Sequence, residues 1–317
     1  MKPGLLLIGG ATPRMMDRFR AEFDVHVVKD IPDLPAFLAK QGDSITAVAT
    51  NGHDGVKPEI MAGCPNLKVV SCYGVGYDAI DTATCAARGI KVSHTPNVLN
   101  DDVANTALLL ILAAARDLVF NDGYVRAGRW ASEGNTPLTR SPEGKTFAIL
   151  GLGRIGERIA QKLEQFNGKI IYHTRTKKDV AYEYYDDLTR MAQDSDYLIV
   201  ITPGGAATNK LVNRAVIDAL GPQGTLINVA RGSVVDEAEM VAALQDGRLG
   251  WAGLDVFEKE PHVPEALFVL HNVTLLPHVA SATHETRQAM GDLVCDNLSQ
   301  FLKDGKVLTS VPETAHL

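Results

Sequence analysis

The sequence has little of what a metal-binding, secreted or membrane-spanning protein needs. Cysteine is scarce, and no CxxC or Cys/His metal-ligand spacing occurs. We therefore expect no metal site, and we expect reduced thiols in a cytoplasmic protein. The opening Met1–Gly10 fits a first strand better than a signal peptide. The most apolar run, Ala107–Ala115, is too short to cross a bilayer, so no membrane partner is expected. The cysteines are Cys64, Cys72, Cys85 and Cys295.

Positively charged residues are also fewer than negatively charged ones. The formal net charge of -7 argues against binding to polyanions, so we expect no nucleic-acid partner. What the chain does have is length and apolar content. A chain of 317 residues is too long for a single hydrophobic core, so we expect two domains. The hydrophobic share of 45% is enough to form a substantial core in each domain.

The most informative stretch is Thr146–Gly156, which reads T-F-A-I-L-G-L-G-R-I-G. Four apolar residues predict a buried strand, and the glycines Gly151, Gly153 and Gly156 follow in the G-x-G-x-x-G spacing that opens a helix. Such a turn lets a pyrophosphate approach the backbone at a helix N-terminus. The pattern predicts dinucleotide binding; the alternative is an ordinary tight strand–helix turn.

Short apolar runs alternate with helical patterns along most of the chain, which predicts an α/β protein. We expect two Rossmann-like or flavodoxin-like domains with parallel sheets and a cleft between them, because two such series occur. Predicted strands of the first series are 5–8, 25–28, 47–49, 69–71 and 91–92. Those of the second, after the glycine motif strand, are 169–173, 197–201, 225–228, 250–254 and 273–276.

Three longer segments set the expected domain boundaries. An apolar helix over Val103–Val119 is predicted to be buried and to bridge the domains, and Ser132–Lys145 is predicted to be a loop. The final helix, Thr283–Lys303, is expected to return to the first series, which lacks a closing helix of its own. The first domain would then be discontinuous, with residues 1–98 plus 286–317 binding substrate and residues 99–285 binding the dinucleotide.

A cationic cluster follows the second strand of the predicted nucleotide domain. Arg175, Lys177 and Lys178 stand where an NAD enzyme usually places an acid for the ribose 2′-hydroxyl. Cations suit a 2′-phosphate instead, so this segment predicts NADPH in preference to NADH. The alternative is a solvated basic loop.

Three polar side chains, Arg231, Glu260 and His278, come just after apolar strands. Strand ends are where an α/β protein places its chemistry. Histidine exchanges protons near neutral pH, a carboxylate beside it stabilises imidazolium, and arginine holds carbonyl or carboxylate oxygens. Each of the three could equally be structural.

Five ordered motifs make the chain similar to the D-isomer-specific 2-hydroxyacid dehydrogenases over essentially its whole length, with the glyoxylate/hydroxypyruvate reductases as the nearest branch. The resemblance implies that Arg231, Glu260 and His278 are catalytic. It implies reduction of small 2-oxoacids to D-2-hydroxyacids, with His278 as general acid. The motifs are Gly151–Gly156, Asp196–Pro203, Leu226–Glu237, Gly253–Pro261 and Asn272–Thr283.

The loop Ser71–Asp78 resembles the family's substrate loop, in which the N–H groups of Val75 and Gly76 would hold the substrate carboxylate. Glycines let such a backbone bend into an anion-binding concavity, and a plain turn is the alternative. The expected substrate-binding residues are Asn51, Gly52, Tyr73, Gly74, Val75, Gly76, Arg231 and His278.

The resemblance also gives the expected cofactor-lining residues, which follow the strands of the second series. They are Gly151, Gly153, Arg154, Ile155, Gly156, Thr174, Arg175, Thr176, Lys177, Thr202, Pro203, Val229, Ala230, Arg231, Asp255, His278 and Ala280.

Three other functions stay open at this point. Oxidation of phosphite is one of them, because the three residues Arg231, Glu260 and His278 do not exclude it. Reduction of bulkier aryl pyruvates, such as hydroxyphenylpyruvate, needs the same residues. A nucleotide-sensing module of the corepressor type would keep the fold and the trio without turnover. A homodimer is expected from the resemblance, with Asp101–Arg129 as its contact region.

Overall fold

The computed structural model describes residues 2–317, which divide into two compact units. One unit runs up to Leu99 and resumes at Ala282–Leu317, and the other is Asn100–Ser281. The expected boundaries lay one residue earlier at the first junction and four residues later at the second.

Twelve strands and twelve α-helices make up the two units. The strands are β1 (Gly4–Leu7), β2 (Asp24–Val27), β3 (Ile45–Asn51), β4 (Val69–Tyr73), β5 (Lys91–Ser93), β6 (Thr146–Leu150), β7 (Lys169–His173), β8 (Glu183–Tyr184), β9 (Tyr197–Val200), β10 (Thr225–Asn228), β11 (Trp251–Leu254) and β12 (Val273–Leu275). The helices are α1 (Pro13–Glu22), α2 (Leu34–Gln41), α3 (Pro58–Gly63), α4 (Thr82–Ala87), α5 (Asn100–Ala115), α6 (Leu118–Arg126), α7 (Arg129–Glu133), α8 (Arg154–Leu163), α9 (Leu188–Gln193), α10 (Arg214–Leu220), α11 (Glu237–Asp246) and α12 (His284–Asp304).

The first unit is built on a five-stranded sheet in the order β2-β1-β3-β4-β5, with every pair parallel. Its central strands β1, β3 and β4 are buried on both faces, whereas the edge strand β2 is partly exposed. Leu6 and Val70 pack on one side, while Leu5 and Val69 pack on the other. Continuous apolar strands of this kind are typical of parallel sheets covered by helices on both faces.

Helix α12 belongs to the first unit, although it is far along the chain. Its buried Val294 and Leu298 join the core that contains Leu5. Arg18 of α1 forms an ion pair with Asp296 at 2.7 Å. Burial of these apolar side chains is what places the C-terminal helix on this sheet.

The second unit contains a seven-stranded parallel sheet in the order β12-β11-β10-β9-β6-β7-β8. The chain builds outward from β6 through β7 to β8, and then from β9 in the opposite direction to β12. The strand order therefore reverses between β6 and β9. In open parallel sheets ligands bind beyond the carboxyl ends of the strands at such a reversal.

The predicted α/β architecture with two parallel-sheet domains is confirmed, but the long helix was predicted wrongly. It ends at Ala115, because Asp117 adopts a left-handed conformation at φ 46°, and a separate helix α6 starts at Leu118. The helix is also not buried all round, since Leu109 is 48% exposed. The pattern did not predict α3, α6, α7 or the two-residue strand β8.

Among residues 2–317 no single helix has the length and apolar content needed to cross a membrane. The bent pair α5 and α6 meets that test only when the two helices are taken together.

Candidate active site

The glycine turn follows β6, whose last four residues are buried. Gly151 has φ 105°, and a Cβ there would lie 2.8 Å from the Thr202 backbone nitrogen, so only glycine fits. Gly156 lies against the Gly151 carbonyl, which brings α8 close to the strand. Beside Gly153, in contrast, there is open space within 4 Å among the described residues. No side chain caps α8 at Gly153, so its first N–H groups are available to an anion.

Arg154 and Ile155 form the first turn of α8, with Arg154 exposed and Ile155 half-buried. The residues expected on the other side of the reversal, Thr202 and Pro203, follow directly after β9. The turn and this segment meet, because Gly151 contacts the Thr202 backbone. The backbone surface expected for a dinucleotide is therefore present in one unit.

The segment Thr174–Lys178, which we call the cationic loop, follows β7. Arg175, Thr176 and Lys177 are exposed, whereas the Lys178 ammonium lies 2.6 Å from the Glu157 carboxylate in α8. The sequence predicted three cations for a 2′-phosphate. In the structure Lys178 forms an ion pair with Glu157, and the two remaining cations, Arg175 and Lys177, face solvent.

A cavity of about 680 Å³ opens beside the cationic loop. It is lined by the end of β7 and by the first residues of α9 and α10. Its volume lies within the range of small-molecule binding sites. Its lining residues are His173, Asp186, Asp187, Leu188, Thr189, Arg190, Leu211, Asn213 and Val216.

Arg231 lies three residues after the buried Asn228, which ends β10. The Asn228 amide donates to the Arg231 carbonyl at 3.0 Å and accepts from the Ala230 N–H at 3.1 Å, which fixes the turn through Val229. The Arg231 guanidinium donates to the Ala230 carbonyl at 2.8 Å. These bonds hold the base of a half-buried arginine at the carboxyl end of the sheet.

His278 and Glu260 form a direct pair. The Nδ1 atom of His278 lies 2.6 Å from Oε2 of Glu260, although 18 residues separate them in the chain. The other carboxylate oxygen accepts from the Phe257 N–H at 3.0 Å, so the carboxylate is oriented. With Nδ1 turned to Glu260, the Nε2 atom is the one that His278 presents. The imidazole is 42% exposed and Glu260 only 18%, so the histidine is the accessible member of the pair.

The backbone that carries His278 is held by Asp255. The Asp255 carboxylate accepts from the N–H groups of Val279 and Ala280 at 2.7 and 2.9 Å, and its carbonyl accepts from the His278 N–H at 2.8 Å. Asp255 is fully buried, and that burial raises the pKa of its carboxyl. The resemblance implied that Asp255 and Ala280 line the cofactor. The structure shows that Asp255 holds the segment His278–Ala280, which we call the histidine loop and in which His278 has φ 54°.

Glu237 is a supporting residue that the sequence reasoning did not single out. It lies in the first turn of α11, and its carboxylate accepts from the Glu258 N–H at 2.9 Å, close to Glu260 in the chain. Burial raises the pKa of Glu237. Its position at the end of a recognised motif is the only signal that the sequence offered.

The first unit holds the residues expected to bind the substrate carboxylate. Asn51 and Tyr73 are register partners at the ends of β3 and β4, so Gly52 and the Gly74–Gly76 loop share one edge of the sheet. The side-chain oxygen of Asn51 accepts hydrogen bonds from the N–H groups of His53 and Asp54, and these two bonds form a tight turn.

The loop after Tyr73 is braced by a residue that the sequence did not predict. The Nδ1 atom of His94 lies 2.9 Å from the Val75 carbonyl, and the Thr95 N–H donates to the Gly74 carbonyl at 2.9 Å. The Tyr73 hydroxyl donates to the Arg287 carbonyl at 2.8 Å. The backbone carbonyls of Gly74 and Val75 are thus held by hydrogen-bonding contacts with Thr95 and His94.

No group of three or more potential metal ligands occurs within residues 2–317. A parallel sheet with a glycine turn at its reversal, together with an imidazole–carboxylate pair at its carboxyl edge, is the arrangement of a nicotinamide-dependent dehydrogenase.

The chain belongs to the D-isomer specific 2-hydroxyacid dehydrogenase family, whose NAD-binding-domain model matches residues 108–280. It is an oxidoreductase that uses a nicotinamide dinucleotide. It is 45% identical over 309 residues to glyoxylate/hydroxypyruvate reductase A of Arabidopsis thaliana, which covers 97% of this chain and 98% of that protein. It is 49% identical over 276 residues to hydroxyphenylpyruvate reductase of Plectranthus scutellarioides, covering 87% and 88%.

Among solved structures, it is similar to the NADPH-dependent glyoxylate/hydroxypyruvate reductase of Sinorhizobium meliloti in complex with NADP and malonate. The TM-score is 0.94 and the identity 46%, with 99% of this chain and 98% of that chain covered.

Proposed function

We propose that this protein reduces small 2-oxoacids, with glyoxylate and hydroxypyruvate as the preferred substrates, to D-2-hydroxyacids. The observation that carries the proposal is the 2.6 Å pair between His278 and Glu260 on the unit that contains the glycine turn. A carbonyl becomes a hydroxyl only when a proton follows the hydride, and this pair is built to supply that proton.

The dinucleotide supplies a hydride from its reduced nicotinamide ring when it is bound. The described residues fit such a group. The open space at Gly153 and the uncapped start of α8 accept the pyrophosphate. The cavity lined by His173 and Leu211 would hold the adenine.

His278 donates the proton. Glu260 holds Nδ1 and stabilises the imidazolium, so that Nε2 carries a proton towards the substrate oxygen. General acid catalysis of this kind contributes about 10²–10⁴-fold to the rate. Arg231 stabilises the negative charge that develops on the same oxygen, which is the second requirement for reducing a carbonyl.

The substrate carboxylate binds to the N–H groups of Val75 and Gly76. Support comes from the bracing of this loop through its carbonyls by His94 and Thr95, which pre-organises the backbone. Asn51, Gly52 and Tyr73 complete the surroundings of the loop, since they lie at the same sheet edge.

NADPH is the preferred cofactor. Arg175 and Lys177 are exposed on the cationic loop, and no acid stands within it to bind a ribose 2′-hydroxyl. Two cations bind a 2′-phosphate strongly and do little for a hydroxyl. We expect Arg175→Ala to raise the KM for NADPH far more than that for NADH, whereas equal losses would remove the cationic loop as the selector.

The decisive experiment measures oxidation of NADPH and of NADH with glyoxylate, hydroxypyruvate, phenylpyruvate and hydroxyphenylpyruvate. The proposal requires the highest kcat/KM with one of the two small substrates and a D-configured hydroxyacid where the product is chiral. Higher values with the aryl pyruvates would favour the second candidate, to which the 49%-identical hydroxyphenylpyruvate reductase gives specific support. Binding of NADPH without turnover of any substrate would instead indicate a nucleotide-sensing module.

We further propose a homodimer whose contact lies in the region Asp101–Arg129 and extends to Trp130. Large apolar side chains are exposed there, and a cluster of this kind marks an interface. A reducing compartment such as the cytoplasm fits the four buried cysteines, none of which is in a disulfide. The exposed apolar side chains are Leu109, Leu112, Leu118, Val119, Val125 and Trp130.

A further inference from the structure

The cationic loop is tied to the sheet beneath it at both ends by tyrosine hydroxyls. The Tyr172 hydroxyl accepts from the Lys178 N–H at 2.9 Å and donates to the Lys178 carbonyl at 3.2 Å. The Tyr184 hydroxyl donates to the Thr174 carbonyl at 3.3 Å. Within the loop, the Thr174 hydroxyl donates to the Thr176 carbonyl at 2.8 Å. The backbone from Thr174 to Lys178 is therefore fixed by side chains rather than by a strand or helix.

The two tyrosines form one unit across the sheet edge. They are register partners in β7 and β8, and their ring centroids lie 5.4 Å apart. Tyr172 is fully buried, and its carbonyl accepts from the Tyr185 N–H at 2.9 Å. Strand β8 is only two residues long, yet it places the second hydroxyl under the loop.

A third contact, made by the Lys178 side chain, determines which cations of the loop are exposed. The Lys178 ammonium is paired with Glu157 at 2.6 Å and points back to α8, while Arg175 and Lys177 remain exposed. Long cationic side chains gain most from a fixed backbone, because less conformational freedom is lost when they bind a ligand.

We propose that Tyr172 and Tyr184 are positioning residues for cofactor selectivity: they hold the cationic loop so that Arg175 and Lys177 stand ready for the ribose 2′-phosphate. The inference rests on the proposed preference for NADPH. A loosened loop weakens the binding of NADPH, whereas NADH has no phosphate for it to hold. The chemical step is unaffected, because neither tyrosine belongs to the histidine pair.

The first test compares steady-state kinetics of Tyr172→Phe and Tyr184→Phe at saturating glyoxylate. Each variant removes one hydroxyl and keeps the ring. We expect the KM for NADPH to rise about threefold to tenfold, the range for one hydrogen bond, while kcat and the KM for NADH change by less than about twofold. Tyr182→Phe is the matched control, because its hydroxyl donates to Glu164 at 2.7 Å and not to the loop. Equal rises for both cofactors, or none, overturn the proposal.

The second test does not depend on cofactor use. Arg175, Lys177 and Lys178 give the loop three sites for trypsin, which cuts a flexible backbone faster than a fixed one. We expect both phenylalanine variants to be cut here several times faster than the wild type and the control, with the fragments identified by mass spectrometry. Thermal melting shows whether the buried Tyr172 variant keeps its fold, and the half-buried Tyr184 variant serves if it does not.

The two tests separate the possible failures. A wild-type enzyme that treats NADPH and NADH alike, with Arg175→Ala unchanged for both, refutes the proposed cofactor and the selectivity role together. A clear NADPH preference combined with unchanged tryptic cutting in both variants refutes the tyrosine tether alone.

Discussion

At the scale of single residues, the pair of His278 and Glu260 gives each side chain a distinct part. Glu260 is the less exposed member, and its second oxygen accepts from the Phe257 N–H, so it cannot turn away without leaving that donor unpaired. His278 is the exposed member and presents Nε2. The carboxylate serves to orient and stabilise, and the imidazole serves to transfer the proton.

Replacing His278 tests this division. His278→Gln keeps a polar side chain but has no group that delivers a proton, so we expect kcat with glyoxylate to fall by about 10²–10⁴-fold. The dissociation constant for NADPH, measured by fluorescence titration, should stay near that of the wild type. Turnover close to wild type would exclude His278 as the acid.

The cysteine thiols give a second prediction at this scale. Burial raises the pKa of Cys64, Cys85 and Cys295 to about 11. Below that pH these thiols stay protonated in the folded chain, and the thiolate is the reactive form. At pH 8 we expect their reaction with a chromogenic disulfide reagent to be about 10²-fold or more slower than that of an unfolded thiol.

The control for the thiol prediction is the same protein in denaturant, where all four cysteines should react rapidly. Rapid labelling of any of the three in the native protein would show that its side chain is not buried in solution.

At the scale of elements, the loop after β12 shows how a fully buried carboxylate can set the position of an active-site side chain. Asp255 directly follows β11, and it receives three hydrogen bonds from consecutive residues, His278 to Ala280. An asparagine there could accept from only one of the two N–H groups that now bond to the carboxylate, because its NH₂ group would face the other.

We therefore expect Asp255→Asn to lower the free energy of unfolding by about 1.5–3 kcal/mol, the range for a hydrogen bond to a charged group. We expect kcat to fall by on the order of tenfold to 10²-fold, since a shifted His278 no longer meets the substrate correctly. Urea unfolding and steady-state assays measure the two effects. Asp17→Asn, at an exposed position in α1, should change neither. Unchanged values for Asp255→Asn would show that the carboxylate does not hold the loop.

At the scale of the whole molecule, the core of the second unit does not explain the apolar residues that are exposed along α5 to α7. Val119 and Val125 of α6 are 62% and 56% exposed. The proposed homodimer would bury them.

Val119→Asp should weaken the dimer, because it places a charge in a contact that excludes water. Light scattering coupled to gel filtration should show a shift from twice the 34.1 kDa chain mass towards a single chain mass at micromolar concentration. Leu308→Asp is the control, since Leu308 is 55% exposed but belongs to the first unit, outside the proposed contact region. An unchanged mass for Val119→Asp, or a single chain mass for the wild type, would contradict the proposed contact.

The sequence by itself determined the α/β class, the two parallel sheets and the glycine turn. These depend on apolar runs and glycine spacings within about ten residues, which any chain with that pattern must satisfy locally. Local pattern was not enough at Asp117: apolar residues resume at Leu118, but the backbone is left-handed at Asp117 and a new helix starts after it.

Only the tertiary structure decided which polar groups are paired and which are exposed. It placed Lys178 on Glu157, two tyrosine hydroxyls under the cationic loop, and the Asp255 carboxylate under the histidine loop. Such pairs join residues that are distant in the chain or at the edges of different strands. They are set by sheet register and by the need to satisfy buried polar groups, and neither is written in any short stretch of sequence.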